Sequence, residues 1–192
     1  MRKLKITEMG RMNVEEFRKS EKIPVVVVLD NVRSMYNVGS VFRTADAFRI
    51  ASIYLCGITA TPPHAEIHKT ALGAEDTVEW HYFNDTMDAV KSLRKEGYYI
   101  FSIEQCEGST MLHNLPSEME DPRNQKHYDS FAVILGNEVK GVRQDVVDAS
   151  DACLEIPQFG TKHSLNVSTA AGMVIWEFAK QLIVQGLCDR SL

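Results

Sequence analysis

The stretch Ile23-Pro24-Val25-Val26-Val27-Val28-Leu29-Asp30 constrains this chain more than any other. Between Pro24 and Asp30 every side chain is aliphatic, and nearly all are β-branched. Such side chains suit a pleated backbone, and a run without polar alternation leaves no face for water. It therefore reads as a strand covered on both sides, as in a parallel sheet. It is far too short to span a bilayer.

The rest of the sequence fits that frame. After a polar loop over 31–37, Val38, Val41, Phe42, Ala45 and Phe48 recur at helical spacing. Strands are expected at Ser52–Cys56, Thr77–Phe83, Tyr98–Ile103, Phe131–Leu135 and Ala152–Ile156. Helices are expected at Asp85–Glu96 and Val142–Ala149, with a long closing helix marked by Leu165, Val174, Ile175, Phe178 and Leu182. Residues 107–129 are rich in polar residues and turn formers and read as an irregular excursion. Strands alternating with helices predict an α/β domain with a mostly parallel sheet. A chain of 192 residues is long enough to bury its core without staples.

Charge is uneven. Residues 1–22 hold seven Lys/Arg against four Glu, a balance of +3, whereas the remainder carries 14 against 22, or −8. We read 1–22 as a basic extension, with a short helix near Val14 to Lys19, and 23–192 as the main domain. Such an arm permits local contact with nucleic acid, although a solvated terminus has the same composition. Cys56, Cys106, Cys153 and Cys188 form no C-x-x-C pair. They read as reduced thiols of a cytoplasmic protein. His64 and His68 stand at i, i+4, but no H-E-x-x-H or third ligand accompanies them, so no metal is expected.

In open α/β sheets, ligands bind beyond the carboxyl ends of strands. Three loops there carry unusual chemistry. The first, Asn37-Val38-Gly39-Ser40-Val41-Phe42-Arg43-Thr44-Ala45, places Asn37 where an N-cap would stand and Arg43 six residues on. By itself Arg43 reads as a surface cation able to pair with Asp46. The second, Leu135-Gly136-Asn137-Glu138-Val139-Lys140-Gly141, brackets four residues with glycines that allow close approach to a ligand, yet it is not a Walker loop. In the third, from Ile156 to Ser168, three polar residues (Ser164, Asn166 and Ser168) alternate with Leu165 and Val167, more than a helix cap requires.

Taken in order, the three loops resemble the motifs of the SpoU (TrmH) family of RNA ribose methyltransferases, within the SPOUT superfamily. Asn37, Gly39, Val41, Arg43, Thr44 and Ala45 match the first motif. Ile134, Gly136, Glu138 and Gly141 match the second. Ile156, Pro157, Gly160, Ser164, Leu165, Asn166, Val167, Ser168 and Ala170 match the third. The resemblance implies a C-terminal trefoil knot, a homodimer, S-adenosylmethionine as cofactor, and methyl transfer to a ribose 2′-hydroxyl of RNA. It implies backbone contacts to the cofactor from Gly136, Ile156 and Leu165, with Ser102 and Ile103 as lesser candidates. It also implies a catalytic set of Arg43, Asn37, Ser164, Asn166 and Glu138. Some 22 residues precede the domain, which points to a standalone member and towards tRNA over rRNA.

A sulfonium donor is already activated, so the protein's task is to align methyl and hydroxyl and to stabilise the charge that develops. In the family scheme the arginine is the base. A guanidinium resists deprotonation, so we expect Arg43 to stabilise the alkoxide and clamp a neighbouring phosphate. The alternative, a non-catalytic RNA-binding or assembly factor on the same scaffold, predicts erosion of Arg43, Ser164 or Asn166, and all three are present.

Overall fold

The computed structural model describes residues 1–119 and 128–184. Seven strands make one sheet: β1 (Ile23–Asp30), β2 (Ile50–Cys56), β3 (Trp80–Phe83), β4 (Tyr99–Ile103), β5 (Thr110–Met111), β6 (Phe131–Leu135) and β7 (Ala152–Glu155). Their order is β3-β2-β1-β6-β4-β7-β5, and every pairing is parallel. β1 is central, with Val27 opposite Ile53 on one side and Val133 on the other.

The absence of alternation in β1 now has its cause. Val25, Val27 and Leu29 enter one core with α2 (Met35–Ala47), α3 (Ala65–Ala71) and α7 (Val167–Val184). Val26 and Val28 enter a second core, across the sheet, with α4 (Thr86–Lys95) and α6 (Gln144–Asp148). Burying both faces removes roughly 1.5–3 kcal/mol of apolar exposure per large aliphatic side chain.

Several expectations shift. α2 begins at Met35, three residues before the periodicity shows, because Ser34 is its N-cap and accepts from Asn37 N at 3.3 Å. Asn37 is therefore a first-turn residue and its amide is released from capping. β2 starts at Ile50, and β3 is confined to Trp80–Phe83 because residues 74–76 form a 3₁₀ turn. The helix α3 was not expected; His64 caps it through Glu66 N, and His68 pairs with the buried Glu75 at 2.6 Å.

The excursion is structured in part. β5 pairs with β7, and α5 (Leu115–Met119) follows a 3₁₀ turn, with Leu112 and Leu115 buried in the α7 core. The remainder of that excursion, 120–127, lies outside the described residues. The N-terminal stretch divides in two. Residues 1–12 are exposed wherever their side chains are described. By contrast, α1 (Val14–Lys19), held by an Asn13–Glu16 capping box, sinks Phe17 into the core. Lys22 stands over the Phe17 ring, and Arg18 donates to Asp76 O at 2.7 Å.

Candidate active site

At the carboxyl ends of β4, β6 and β7 lies a cavity of about 850 Å³, within the range of small-molecule sites. Three loop segments wall it, 103–107 after β4, 135–142 after β6 and 155–165 after β7, with Gln144, Val147 and Asp148 of α6 and Val167 and Ala170 of α7 completing the lining.

Gly136 is where the second segment folds tightly on itself. A Cβ there would stand 2.1 Å from Gly141 C and Val142 N. Asn137 and Gly141 exchange backbone hydrogen bonds across the turn, and Asn137 Oδ1 accepts from Val139 N and Lys140 N. Only glycine lets the loop close this tightly at the cavity wall.

A polar relay ties all three motifs together. Glu138 accepts from Arg33 N and Ser34 N, both at 2.9 Å, and from Asn37 Nδ2 at 3.0 Å. Asn37 Oδ1 in turn accepts from Asn166 Nδ2 at 3.1 Å. Asn166 Oδ1 accepts from Ser168 and Thr169 at the start of α7, so Asn166 caps the helix and holds Asn37 together. Burial raises the Glu138 pKa, but the donors converging on the carboxylate outweigh it and leave that pKa below its ordinary value.

The expected site residues fall into two sets. Gly136, Ile156, Leu165, Ile103, Glu138 and Ser164 line the cavity. Asn37 and Asn166 stand behind it in the relay. Arg43 and Ser102 are not among the lining residues. The Ser102 hydroxyl is buried against Ser150 Oγ at 2.8 Å. Arg43 is exposed on α2 and makes no hydrogen bond or ion pair among the described residues; Asp46, its expected partner, accepts from Thr77 instead. At about 1.5 Å and 100° per residue, Arg43 stands roughly 9 Å along the helix from Asn37 and faces another way.

Sequence reasoning reached Ile103 at the end of β4 but missed the residues that follow it, 104–107. Glu104 Oε2 accepts from Val142 N at 3.0 Å, and Gln105 Nε2 donates to His163 O at 2.9 Å, so this segment links the second and third loops. The strand-end rule, applied to Ile103 as it was to Leu135 and Ile156, leads to these residues.

The lining carries Glu104, Glu107, Glu138, Asp148 and Glu155 against Lys140. That balance repels a phosphate and suits a cation. A family model described as the SpoU rRNA Methylase family matches residues 24–176. The chain belongs to that family. It is 30% identical over 163 residues to a 23S rRNA (guanosine-2'-O-)-methyltransferase of Neisseria meningitidis, covering 84% of this chain and 60% of that relative. It is 27% identical over 184 residues to the tRNA (guanosine(18)-2'-O)-methyltransferase of Thermus thermophilus, covering 96% of this chain and 89% of the relative. The AdoMet-bound rRNA methyltransferase of Sinorhizobium meliloti superposes with a TM-score of 0.72 at 25% identity, over 86% of this chain and 60% of that one. The parallel sheet with helices on both faces is thus the SPOUT architecture of the SpoU family.

Proposed function

We propose that this chain transfers a methyl group from S-adenosylmethionine to a ribose 2′-hydroxyl of RNA, acting in the cytoplasm as a homodimer. The observation that carries the reading is the cavity itself: loops two and three meet there, and the relay through Glu138, Asn37 and Asn166 fastens them to loop one. Its acidic lining fits a sulfonium-bearing ligand better than a nucleotide phosphate.

S-adenosylmethionine, when bound, supplies a methyl group already activated on sulfur. The chain's own residues do the rest. Gly136, with Ile103, Ile156 and Leu165, offers backbone and apolar contacts to hold the cofactor, and the trefoil knot expected in this architecture lies in these same loops. Ser164, at the rim, is placed to orient the substrate. Glu138, Asn37 and Asn166 fix the relative positions of the loops, and so act as positioning residues. Arg43 clamps the ribose-flanking phosphate and stabilises the developing alkoxide, while the proton leaves to phosphate or water. Because Arg43 stands outside the cavity lining, the second copy completes the site; exposed Met173 and Trp176 on α7 and Tyr36 on α2 supply an apolar face for it. Transfer RNA is the favoured substrate, since a relative matched over 89% of its own length is named for tRNA, whereas the rRNA-named relative above is matched over 60% of its own.

Calorimetry with S-adenosylhomocysteine, followed by transfer of labelled methyl to tRNA and rRNA transcripts, tests the reading. Saturable binding and an alkali-resistant ribose linkage in tRNA are expected. No heat and no thermal shift would favour the non-catalytic RNA factor.

A further inference from the structure

Cys106 and Cys153 come from distant parts of the sequence and meet at the cavity wall. Cys106 follows β4 and lines the cavity; Cys153 is in β7, where its Cα pairs with Ser102 of β4. The Cys153 thiol donates to Cys106 Sγ at 3.0 Å, and both residues are partly accessible. A disulfide needs about 2.05 Å, so closure calls for an approach of about 1 Å. Neither thiol has a part in the proposed transfer.

We propose that Cys106 and Cys153 form a reversible dithiol–disulfide pair that, once oxidised, weakens cofactor binding. The coupling rests on the cofactor reading above; the disulfide does not. The oxidant is a low-molecular-weight disulfide, such as oxidised glutathione. Cys106, as thiolate, attacks one sulfur of the small disulfide and releases one small thiol. Cys153 then loses its proton and attacks Cys106 Sγ, which releases the second. Two protein thiols and one small disulfide become one protein disulfide and two small thiols.

The bond would act on the wall through its neighbours. Glu104 holds Val142 N of the second loop and Gln105 holds His163 O of the third, two residues and one residue from Cys106. Drawing Cys106 towards β7 displaces both bridges. Burial and the neighbouring Cys106 sulfur push the Cys153 thiol up to about 12. Cys153 is therefore the resolving thiol, and closure should accelerate as pH rises.

The test uses the full chain carrying Cys188→Ser. After incubation with oxidised glutathione, peptide mapping is expected to show a Cys106–Cys153 linkage, reversed by dithiothreitol. Cys153→Ala should instead trap glutathione on Cys106. Affinity for S-adenosylhomocysteine should fall about fivefold or more on oxidation, the lower end of usual coupling between two sites, and Cys106→Ser should abolish the difference. Both thiols remaining open to alkylation would overturn the pair, and unchanged affinity in the linked protein would overturn the coupling. A reduced chain that does not bind S-adenosylhomocysteine would overturn the cofactor reading and the coupling with it, while the peptide map judges the disulfide by itself.

Discussion

Asn37 does two jobs at once: its amide nitrogen donates to Glu138 and its oxygen accepts from Asn166. Asp at this position keeps the acceptor but sets a carboxylate against a carboxylate. Asn37→Asp should therefore lower kcat/KM by about tenfold or more, equivalent to about 1.4 kcal/mol of transition-state stabilisation. Asn37→Ala should be milder, because it leaves Glu138 with its two backbone donors. Glu138 also predicts an acid limb. Its lowered native pKa means that its stabilisation is full above the ordinary carboxylate value and is lost as pH falls through the native one. Glu138→Gln should cost about 1 kcal/mol at neutral pH, since the site is open to water, and should flatten that limb in urea denaturation. Arg43 is a different case. It makes no hydrogen bond or ion pair among the described residues, so Arg43→Lys should leave stability within about 0.5 kcal/mol. Turnover on RNA should nevertheless fall about 100-fold, as when one preorganised donor is lost. Near-full turnover would refute the bidentate clamp.

Glycine is where element packing and site geometry separate. A Cβ on Gly39 would lie 2.2 Å from Ile67 O and Thr70 Oγ1, so that glycine exists to seat α2 on α3. A Cβ on Gly136 would strike the backbone of the second loop. Both alanine variants should lose about 1–3 kcal/mol of stability by overpacking. Calorimetry should separate them: Gly136→Ala loses S-adenosylhomocysteine binding, and Gly39→Ala retains the stronger binding of the two. Six of the seven strands and the three loops were legible because a strand buried on both faces, such as β1, has an aliphatic signature and ligands gather at strand ends, whereas the two-residue β5 fell inside the stretch read as irregular. The helix α3 was not, since its seven residues bury only Ile67 and Ala71 and show little periodicity. The start of α2 was misread because Ser34 and Asn37 are both credible caps; the relay that occupies Asn37 joins residues about a hundred positions apart, which no local pattern records. Nor could spacing bring Cys106 to Cys153.

At the scale of the whole molecule, the cavity is built within one chain and Arg43 is not part of it. A monomer should then bind the cofactor without completing the reaction. Trp176, 52% exposed and packed on Phe48, is a large apolar surface for an isolated chain to leave in water. Trp176→Glu should shift the protein to a monomer in sedimentation, keep S-adenosylhomocysteine binding and abolish methyl transfer. Loss of binding as well would show that the second copy shapes the cavity itself. RNA must also approach a body of net charge −8, which leaves attraction to local cationic features. The fold divides the basic stretch at Asn13. Removing residues 13–22 would take Phe17 from the core, whereas removing 2–12 deletes four Lys/Arg and one Glu from exposed chain and leaves α1 capped. The shorter deletion should leave Tm unchanged and make the salt dependence of RNA affinity shallower by as much as about 2–3 in log–log slope, measured by fluorescence anisotropy between about 50 and 200 mM salt. An unchanged slope would assign the phosphate contacts to the domain itself, and Arg43, with no partner among the described residues, would then be the first cation to test.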